Sequence, residues 1–252
     1  MLGKALKIVF WGEDSFSDIV LNSLLEAGYH VCAVITPFYD NLIYKRLEMT
    51  CKQNKVFFFR CKDVNGTEVC EYVKSLVPDL CVVAHFEKLI KPELLTIPSL
   101  GFINLHPSLL PYYRGMAPQH WPIINGDEES GITVHFIDAG VDTGDIILQK
   151  HIPLHPDMYV SDLQNEWRKL YRTVILEAIE NILDIGCGYG FIGVSLAKIL
   201  NVKVEMVDIN KRAIHLCSKN IKNNNVNAIC YESNGIDNVN NKFDIIISNP
   251  PI

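Results

Sequence analysis

The chain has 252 residues, a length that allows one or two domains with hydrophobic cores of their own. Apolar residues make up 48% and charged residues 21%, with a formal net charge of −6, which argues against a nucleic-acid binder because such proteins normally carry a basic surface. No apolar run is long enough to cross a bilayer, the first residues do not form a secretory signal, and the eight cysteines include no Cys-x-x-Cys pair. We therefore expect a cytoplasmic protein with no metal site and no membrane partner, of unknown oligomeric state.

Short apolar runs alternate with amphipathic stretches over most of the chain, which predicts an α/β fold built on an open sheet. The predicted strands are Lys7–Trp11, His30–Thr36, Lys55–Arg60, Leu80–Ala84, Phe102–Leu105, Thr133–Ile137 and Asp145–Gln149. The predicted helices are Ser17–Ala27, Leu42–Gln53, Glu68–Leu76, Pro118–Asn125 and Ser161–Ile179. Gly28 follows the first helix, where a left-handed cap is expected.

A second set of elements begins directly after the long helix. It comprises the strand Asn181–Ile185, a glycine-rich turn, the helix Phe191–Leu200, the strand Lys203–Val207, the helix Lys211–Asn223 and the strand Phe243–Ser248. Because no linker separates the two sets, we place a domain boundary between residues 180 and 181, which gives domains 1–180 and 181–252.

Polar side chains lie together at the end of the fifth predicted strand. Asn104 and His106 point to the same face of an extended chain, at the sheet edge where open α/β folds bind ligands. Asp142 follows in a turn between Gly140 and Gly144. An imidazole oriented by a carboxylate, beside an amide donor, suits acyl transfer. A histidine at a strand end and an aspartate between glycines also occur as purely structural residues.

Three segments around these residues have a specific order and spacing: 106–115 (HPSLLPYYRG), 131–136 (GITVHF) and 140–144 (GVDTG). Together they resemble the 10-formyltetrahydrofolate-dependent formyltransferases, a family that includes methionyl-tRNA, glycinamide ribonucleotide and sugar-nucleotide N-formyltransferases. The resemblance runs from about Lys7 to about Asn181. It implies a Rossmann-like formyltransferase domain that uses 10-formyltetrahydrofolate and a small-molecule primary amine.

The resemblance also implies roles for single residues. Asn104 and protonated His106 would stabilise the oxyanion that forms when the amine attacks the formyl carbon, and Asp142 would orient His106 and favour its charged form. Arg114 would contact the substrate. Two loops would hold the pterin, with contacts from Phe86, Glu87, Lys88, Leu89, Asp138 and Gly140. His135, in a strand, and Trp121, on an apolar helix face, are interpreted as structural residues.

Two features bear on the acceptor amine. Methionyl-tRNA formyltransferases carry a basic insertion after the second strand and a C-terminal barrel, whereas here Thr36 is followed by a short segment that leads into a helix. The first turn contains Glu13 and Asp14, which would repel a phosphate at the helix start and so argue against the glycinamide ribonucleotide branch. By elimination we expect an amino group on a nucleotide-linked sugar, and a methionyl-tRNA formyltransferase-like enzyme is the alternative.

The second block contains a glycine-rich turn after a strand. Glycines there let the backbone approach a cofactor closely, and Asp208 ends the next strand where it could accept hydrogen bonds from a ribose. On these residues alone a nicotinamide site is equally compatible. The ending Asn249-Pro250-Pro251 after an apolar strand resembles the S-adenosylmethionine-dependent methyltransferases that act on guanine amines of ribosomal RNA. That resemblance implies S-adenosylmethionine contacts at Asp184, Gly186, Gly188, Gly190 and Asp208.

The same resemblance implies that Asn249 would hold the target amine, with the prolines fixing the loop. The printed sequence stops at Ile252, where members of that family continue with three more strands. We therefore expect an incomplete Rossmann-like methyltransferase fragment that binds S-adenosylmethionine poorly and does not catalyse. Two rival functions remain: an RNA methyltransferase with an accessory front half, and a non-catalytic folate-binding protein.

Overall fold

The protein is described by a computed structural model that covers residues 4–200, 203–239, 243 and 245–248. The chain divides into two compact units. The first unit is Leu6–Leu176, and the second unit begins at Glu177.

Seven strands form the sheet of the first unit, in the order β3-β2-β1-β4-β5-β6-β7. Their bounds are β1 Lys4–Gly12, β2 Tyr29–Pro37, β3 Phe57–Cys61, β4 Leu80–Ala84, β5 Phe102–His106, β6 Glu129–Phe136 and β7 Ile146–Pro153. Pairing is parallel between β2 and β3, β1 and β4, and β4 and β5, and antiparallel from β5 to β6 and from β6 to β7. The α/β open sheet that the sequence predicts is confirmed.

Helices connect these strands. Along this part of the chain they are α1 Ser15–Glu26, α2 Lys45–Asn54, α3 Thr67–Leu76, α4 Pro92–Leu95, α5 Trp121–Asn125, α6 Val160–Leu170 and α7 Val174–Glu180, with a 3₁₀ turn at Pro118–His120. All five residues of β4 are buried, as expected for a central parallel strand covered on both faces. Gly28 has a φ of +82°, the left-handed conformation that was predicted after the first helix.

The long helix predicted over Ser161–Ile179 is interrupted at Tyr171. Its first turn is closed by Asp162, whose carboxylate accepts the backbone N–H of Tyr159 at 2.9 Å. Tyr171 is fully buried, and its hydroxyl lies 2.8 Å from Nε2 of His85. Periodicity cannot reveal such a contact with a residue 86 positions away.

Four parallel strands form the sheet of the second unit, in the order β10-β9-β8-β11. They are β8 Asn181–Ile185, β9 Lys203–Asp208, β10 Ala228–Glu232 and β11 Ile245–Ser248, with helices α8 Phe191–Leu200 and α9 Lys211–Asn224. The sequence analysis missed β10, which has no buried residue and therefore no clear apolar pattern. Among the described residues, no helix is long and apolar enough to cross a membrane.

Candidate active site

A cavity of about 330 Å³ opens at the carboxyl ends of the central strands of the first unit. Glu13 and Asp14 follow β1, His85 follows β4, and Asn104 and His106 belong to β5; all five line the cavity. The strand order reverses between β1 and β4, and open α/β sheets bind their ligands at such a switch point. The volume lies in the range of small-molecule sites.

The three predicted catalytic residues lie together in this cavity. Asn104 and His106 project from the same face of β5, as alternation predicts. Asp142 reaches both of them: its Oδ2 lies 3.6 Å from Nδ1 of His106, and its Oδ1 lies 3.5 Å from Nδ2 of Asn104. In the described part of the chain, no group of three or more histidine, cysteine or acidic side chains is arranged to hold a metal ion.

The ring of His106 is fixed from both sides. Nε2 lies 2.9 Å from the carbonyl oxygen of Tyr113, which can only accept, so Nε2 carries a proton. Burial lowers the pKa of His106, although Asp142 and the Tyr113 carbonyl act to raise it. The neutral imidazole therefore predominates at pH 7 in the unliganded cleft: Asp142 favours the charged form of His106, but desolvation outweighs the carboxylate.

Asp142 stays ionised in the same surroundings. Burial alone would raise the pKa of its carboxyl group, but the neighbouring rings of His135 and His106 and the hydrogen bond from the Gly115 N–H together lower it. Its φ of +49° lies in the left-handed region, as do the values of +46° at His85 and +58° at Tyr113. Strained non-glycine residues of this kind gather at functional sites.

His135 is part of this cluster, although the sequence analysis treats it as structural only. The antiparallel register places it opposite Asn104, with its Nε2 3.2 Å from the Asn104 Nδ2. Its Nδ1 lies 2.7 Å from the carbonyl of Phe136, so in the neutral form Nε2 accepts from the amide of Asn104. The missed signal is the pairing of the two strands, since alternation then directs both side chains to one face.

The two loops expected to hold a pterin face each other across a smaller pocket of about 70 Å³. It is lined from one loop by Phe86, Lys88 and Leu89, and from the other by Asp138, Gly140 and Val141, while Glu87 lines the larger cavity. Leu89 is 65% exposed and Val141 47% exposed, so each loop offers an apolar side chain beside the pocket. Ligand sites are commonly lined by apolar side chains of this kind with a few polar groups among them.

The second of these loops has a tightly built turn. Oδ1 of Asp138 accepts the N–H of Gly140 at 2.9 Å and the hydroxyl of Thr143 at 2.6 Å, and the Thr143 hydroxyl bond is the main reason that the pKa of Asp138 is lowered. A Cβ atom on Gly140 would lie 2.0 Å from Oγ1 of Thr143. The turn therefore requires glycine at this position.

Two further predicted positions lie at the surface. Arg114 is exposed, whereas the next residues, Gly115 and Met116, line the cavity. Trp121 is 50% exposed, so its interpretation as a core residue is wrong: α5 is only five residues long and leaves that face open to solvent. Neither the position of His85 in the cavity lining nor its contact with the buried Tyr171 is predictable from the sequence, because the two residues meet only in three dimensions.

The glycine-rich turn of the second unit follows β8. Gly186, Gly188 and Gly190 all have positive φ, and a Cβ atom on Gly190 would lie 2.5 Å from Sγ of Cys217. The carboxylate of Asp208 accepts the N–H of Gly188 on one oxygen and that of Asn210 on the other, both at 2.8 Å. The backbone of Asp184 pairs with Met206 inside the sheet, and Asn249 lies outside the described residues.

Two family models match the chain: "Formyl transferase" over residues 6–179 and "Methyltransferase small domain" over residues 168–252. A methionyl-tRNA formyltransferase from Ruminiclostridium cellulolyticum is 33% identical over 82% of this chain and 69% of its own length. Another, from Caldanaerobacter subterraneus, is 36% identical over 71% of this chain and 60% of its own. The chain spans about 60% of the length of most such relatives.

Solved structures show the same fold. Glycinamide ribonucleotide transformylase 1 from Symbiobacterium toebii superposes with a TM-score of 0.58 at 26% identity, covering 68% of this chain and 84% of its own. A sugar 3N-formyl transferase solved with dTDP and 5-N-formyl-tetrahydrofolate gives a TM-score of 0.56 at 25% identity, covering 70% of this chain and 62% of its own.

Proposed function

Because the chain belongs to the family of folate-dependent formyl transferases, we propose that it transfers a formyl group from 10-formyltetrahydrofolate to a primary amine in the cavity of the first unit. The observation that carries this proposal is the convergence of Asn104, His106 and Asp142 at the switch point of the sheet. The pocket between the two pterin loops supports the choice of folate, since each loop offers an apolar side chain beside it, Leu89 and Val141, and Asn104 also lines it.

When bound, the folate supplies an activated formyl carbon to the amine. Asn104 donates a hydrogen bond to the formyl oxygen as negative charge develops there, which requires its amide to exchange one of its present partners, His135 at 3.2 Å or Asp142 at 3.5 Å. Both contacts are long, so the exchange costs little, and hydrogen bonds of this kind tighten when the substrate binds.

His106 is the group that receives the amine proton in this proposal. Its Nε2 is protonated and donates to Tyr113, which leaves Nδ1 as the free base of the neutral ring. Asp142, 3.6 Å from Nδ1, stabilises the imidazolium that forms, and this cation in turn stabilises charge on the formyl oxygen. As the new bond from the amine to the formyl carbon forms, the bond from that carbon to the folate nitrogen would break, and the proton on His106 would pass to this leaving nitrogen.

For the acceptor we propose an amino group on a nucleotide-linked sugar. The net charge of −6 and the absence of a basic insertion between β2 and α2 support a small substrate over a polyanionic one. The likeness to a sugar 3N-formyl transferase supports the same class. Methionyl-tRNA is the second candidate, favoured by the 33–36% identity to methionyl-tRNA formyltransferases.

A mass-spectrometric screen tests this proposal. The full chain is incubated with 10-formyltetrahydrofolate and, in separate reactions, nucleotide-linked amino sugars, glycinamide ribonucleotide and methionyl-tRNA. We expect a formylated amino sugar. If only methionyl-tRNA were formylated, the proposed acceptor would be wrong, but the proposed formyl-transfer reaction would stand. If the chain bound folate but formylated none of the amines, the proposed reaction would be contradicted.

For the second unit we propose weak binding of S-adenosylmethionine and no methyl transfer. The glycine turn and the family match support the cofactor class. Both oxygens of Asp208 already accept backbone N–H groups, so ribose hydroxyls would have to compete for them. Calorimetry with the full chain tests this, and a dissociation constant below about 10 µM would contradict it.

We also propose the domain division 1–180 and 181–252, a cytoplasmic location and no nucleic-acid partner for the first domain. The two family models overlap at residues 168–179, just before this boundary, which supports the division.

A further inference from the structure

The first turn of the protein places two acidic side chains against the loop Phe86–Leu89. Glu13 is only 4% exposed, and both of its carboxylate oxygens are used. Oε1 accepts the backbone N–H of Glu87 at 2.8 Å, and Oε2 accepts the hydroxyl of Tyr39 at 2.9 Å. A carboxylate this deeply buried is unfavourable unless its hydrogen bonds are made.

Asp14 contacts the residue immediately before the loop. Its Oδ1 caps α1 by accepting the N–H groups of Phe16 and Ser17, and its Oδ2 lies 3.4 Å from Nδ1 of His85. The other ring nitrogen of His85 meets the buried hydroxyl of Tyr171 at 2.8 Å. Helix capping therefore accounts for the contacts of Oδ1 of Asp14, whereas Oδ2 is directed to His85.

His85 needs this support because its φ of +46° is strained for a residue other than glycine. Phe16 stacks on its ring, with centroids 4.8 Å apart and planes 10° from parallel. Between the two anchored positions, the ring of Phe86 packs edge-on against the buried Trp11 at 5.7 Å. Three consecutive residues, 85 to 87, are therefore each fixed by a different contact.

We propose that Glu13 and Asp14 are positioning residues for folate binding: Glu13 holds the loop Phe86–Leu89 through the Glu87 N–H, and Asp14 holds it through His85. This inference rests on the proposed function, which assigns that loop to the pterin. It replaces the interpretation of the two acids as groups that merely repel phosphate. Their carboxylates face inward to the loop, and the loop in turn lines both pockets of the cleft.

The test uses the full chain and 5-formyltetrahydrofolate, a folate that does not react. Glu13→Ala removes both hydrogen bonds of Glu13. We expect the dissociation constant of this variant for 5-formyltetrahydrofolate to rise about tenfold or more, which is the effect of losing one charge-assisted hydrogen bond. Hydrogen exchange at the Glu87 amide should accelerate in the same variant without ligand. Glu13→Gln keeps an acceptor for that amide and should restore most of the binding.

Tyr39→Phe is the matched control, because it removes the partner of the other Glu13 oxygen and leaves the Glu87 contact in place. In Tyr39→Phe, the Glu87 amide should stay as protected from hydrogen exchange as it is in wild type. Asp14→Asn keeps the helix cap through Oδ1 and should weaken folate binding less than Glu13→Ala. Unchanged exchange at Glu87 in Glu13→Ala overturns the inference even if wild type fails to bind folate, a failure that would count against the proposed function alone.

Discussion

The balance between burial and polar contacts sets the charge states of the two ionisable groups in the cleft. At His106 desolvation outweighs a carboxylate 3.6 Å away and lowers the pKa, whereas at Asp142 several hydrogen bonds outweigh desolvation and lower the pKa as well. The result is a neutral imidazole beside an ionised carboxylate at pH 7. That pair is suited to accept a proton and then stabilise the cation.

Asp142→Asn tests this pairing. The amide keeps an acceptor for the Gly115 N–H but removes the charge that stabilises protonated His106, so formyl transfer should fall by about 10² or more with the fold intact. Steady-state kinetics measure the fall. Asp162→Asn, a charge change on α6, serves as the control and should retain wild-type turnover. Equal rates in the two variants would refute the role of Asp142.

Glu13 gives a pH-dependent prediction for stability. Burial raises the pKa of Glu13, although the hydrogen bonds from Glu87 and Tyr39 lower it in part. Its contribution to stability is therefore fully present below the unfolded pKa of about 4.3 and is lost as the pH rises through the higher folded value. As the pH rises from about 4 to about 7, the unfolding free energy of Glu13→Gln should therefore increase relative to that of wild type. Urea denaturation at both pH values checks this, and a constant difference would contradict it.

Single residues were predictable where local geometry alone positions them. Asn104 and His106 share a face because strands alternate, and Asp142 lies in a turn marked by glycines. Glu13, His85 and His135 were not predictable as cavity residues, because their partners come from strands and helices far away in the sequence.

Elements with strong apolar patterns were predicted well, and elements defined by tertiary contacts were not. β4 and α8 have the predicted bounds, because their burial pattern is continuous or periodic. The strand β10 depends on its pairing with β9, and neither this strand nor the break at Tyr171 leaves a periodic signal in the sequence.

The turn after β6 gives a prediction at this scale. In Gly140→Ala the new methyl group would displace Thr143 from Asp138, so the loop loses its shape, and binding of 5-formyltetrahydrofolate should weaken about tenfold. Gly66→Ala is the control, since its Cβ meets a neighbour at 3.2 Å and needs only a small shift. Fluorescence titration compares them, and equal affinities would show that the turn does not hold the folate.

At the scale of the whole molecule, the negative net charge disfavours polyanionic acceptors. With a net charge of −6, initiator tRNA should bind weakly at about 150 mM salt, because phosphate contacts supply most non-specific affinity. Filter binding or fluorescence anisotropy measures this. A micromolar or tighter complex, coupled to methionine formylation, would favour the tRNA acceptor instead.

The most direct test of the central claim compares formyl transfer by wild type and His106→Gln, with circular dichroism to confirm folding. The glutamine amide can still donate to the Tyr113 carbonyl but cannot accept the amine proton. Using the acceptor found in the amine screen, we predict that transfer from 10-formyltetrahydrofolate falls by about 10²–10⁴-fold, the range typical of losing one acid–base group. A folded His106→Gln variant that retains more than about a tenth of the wild-type rate would contradict the account.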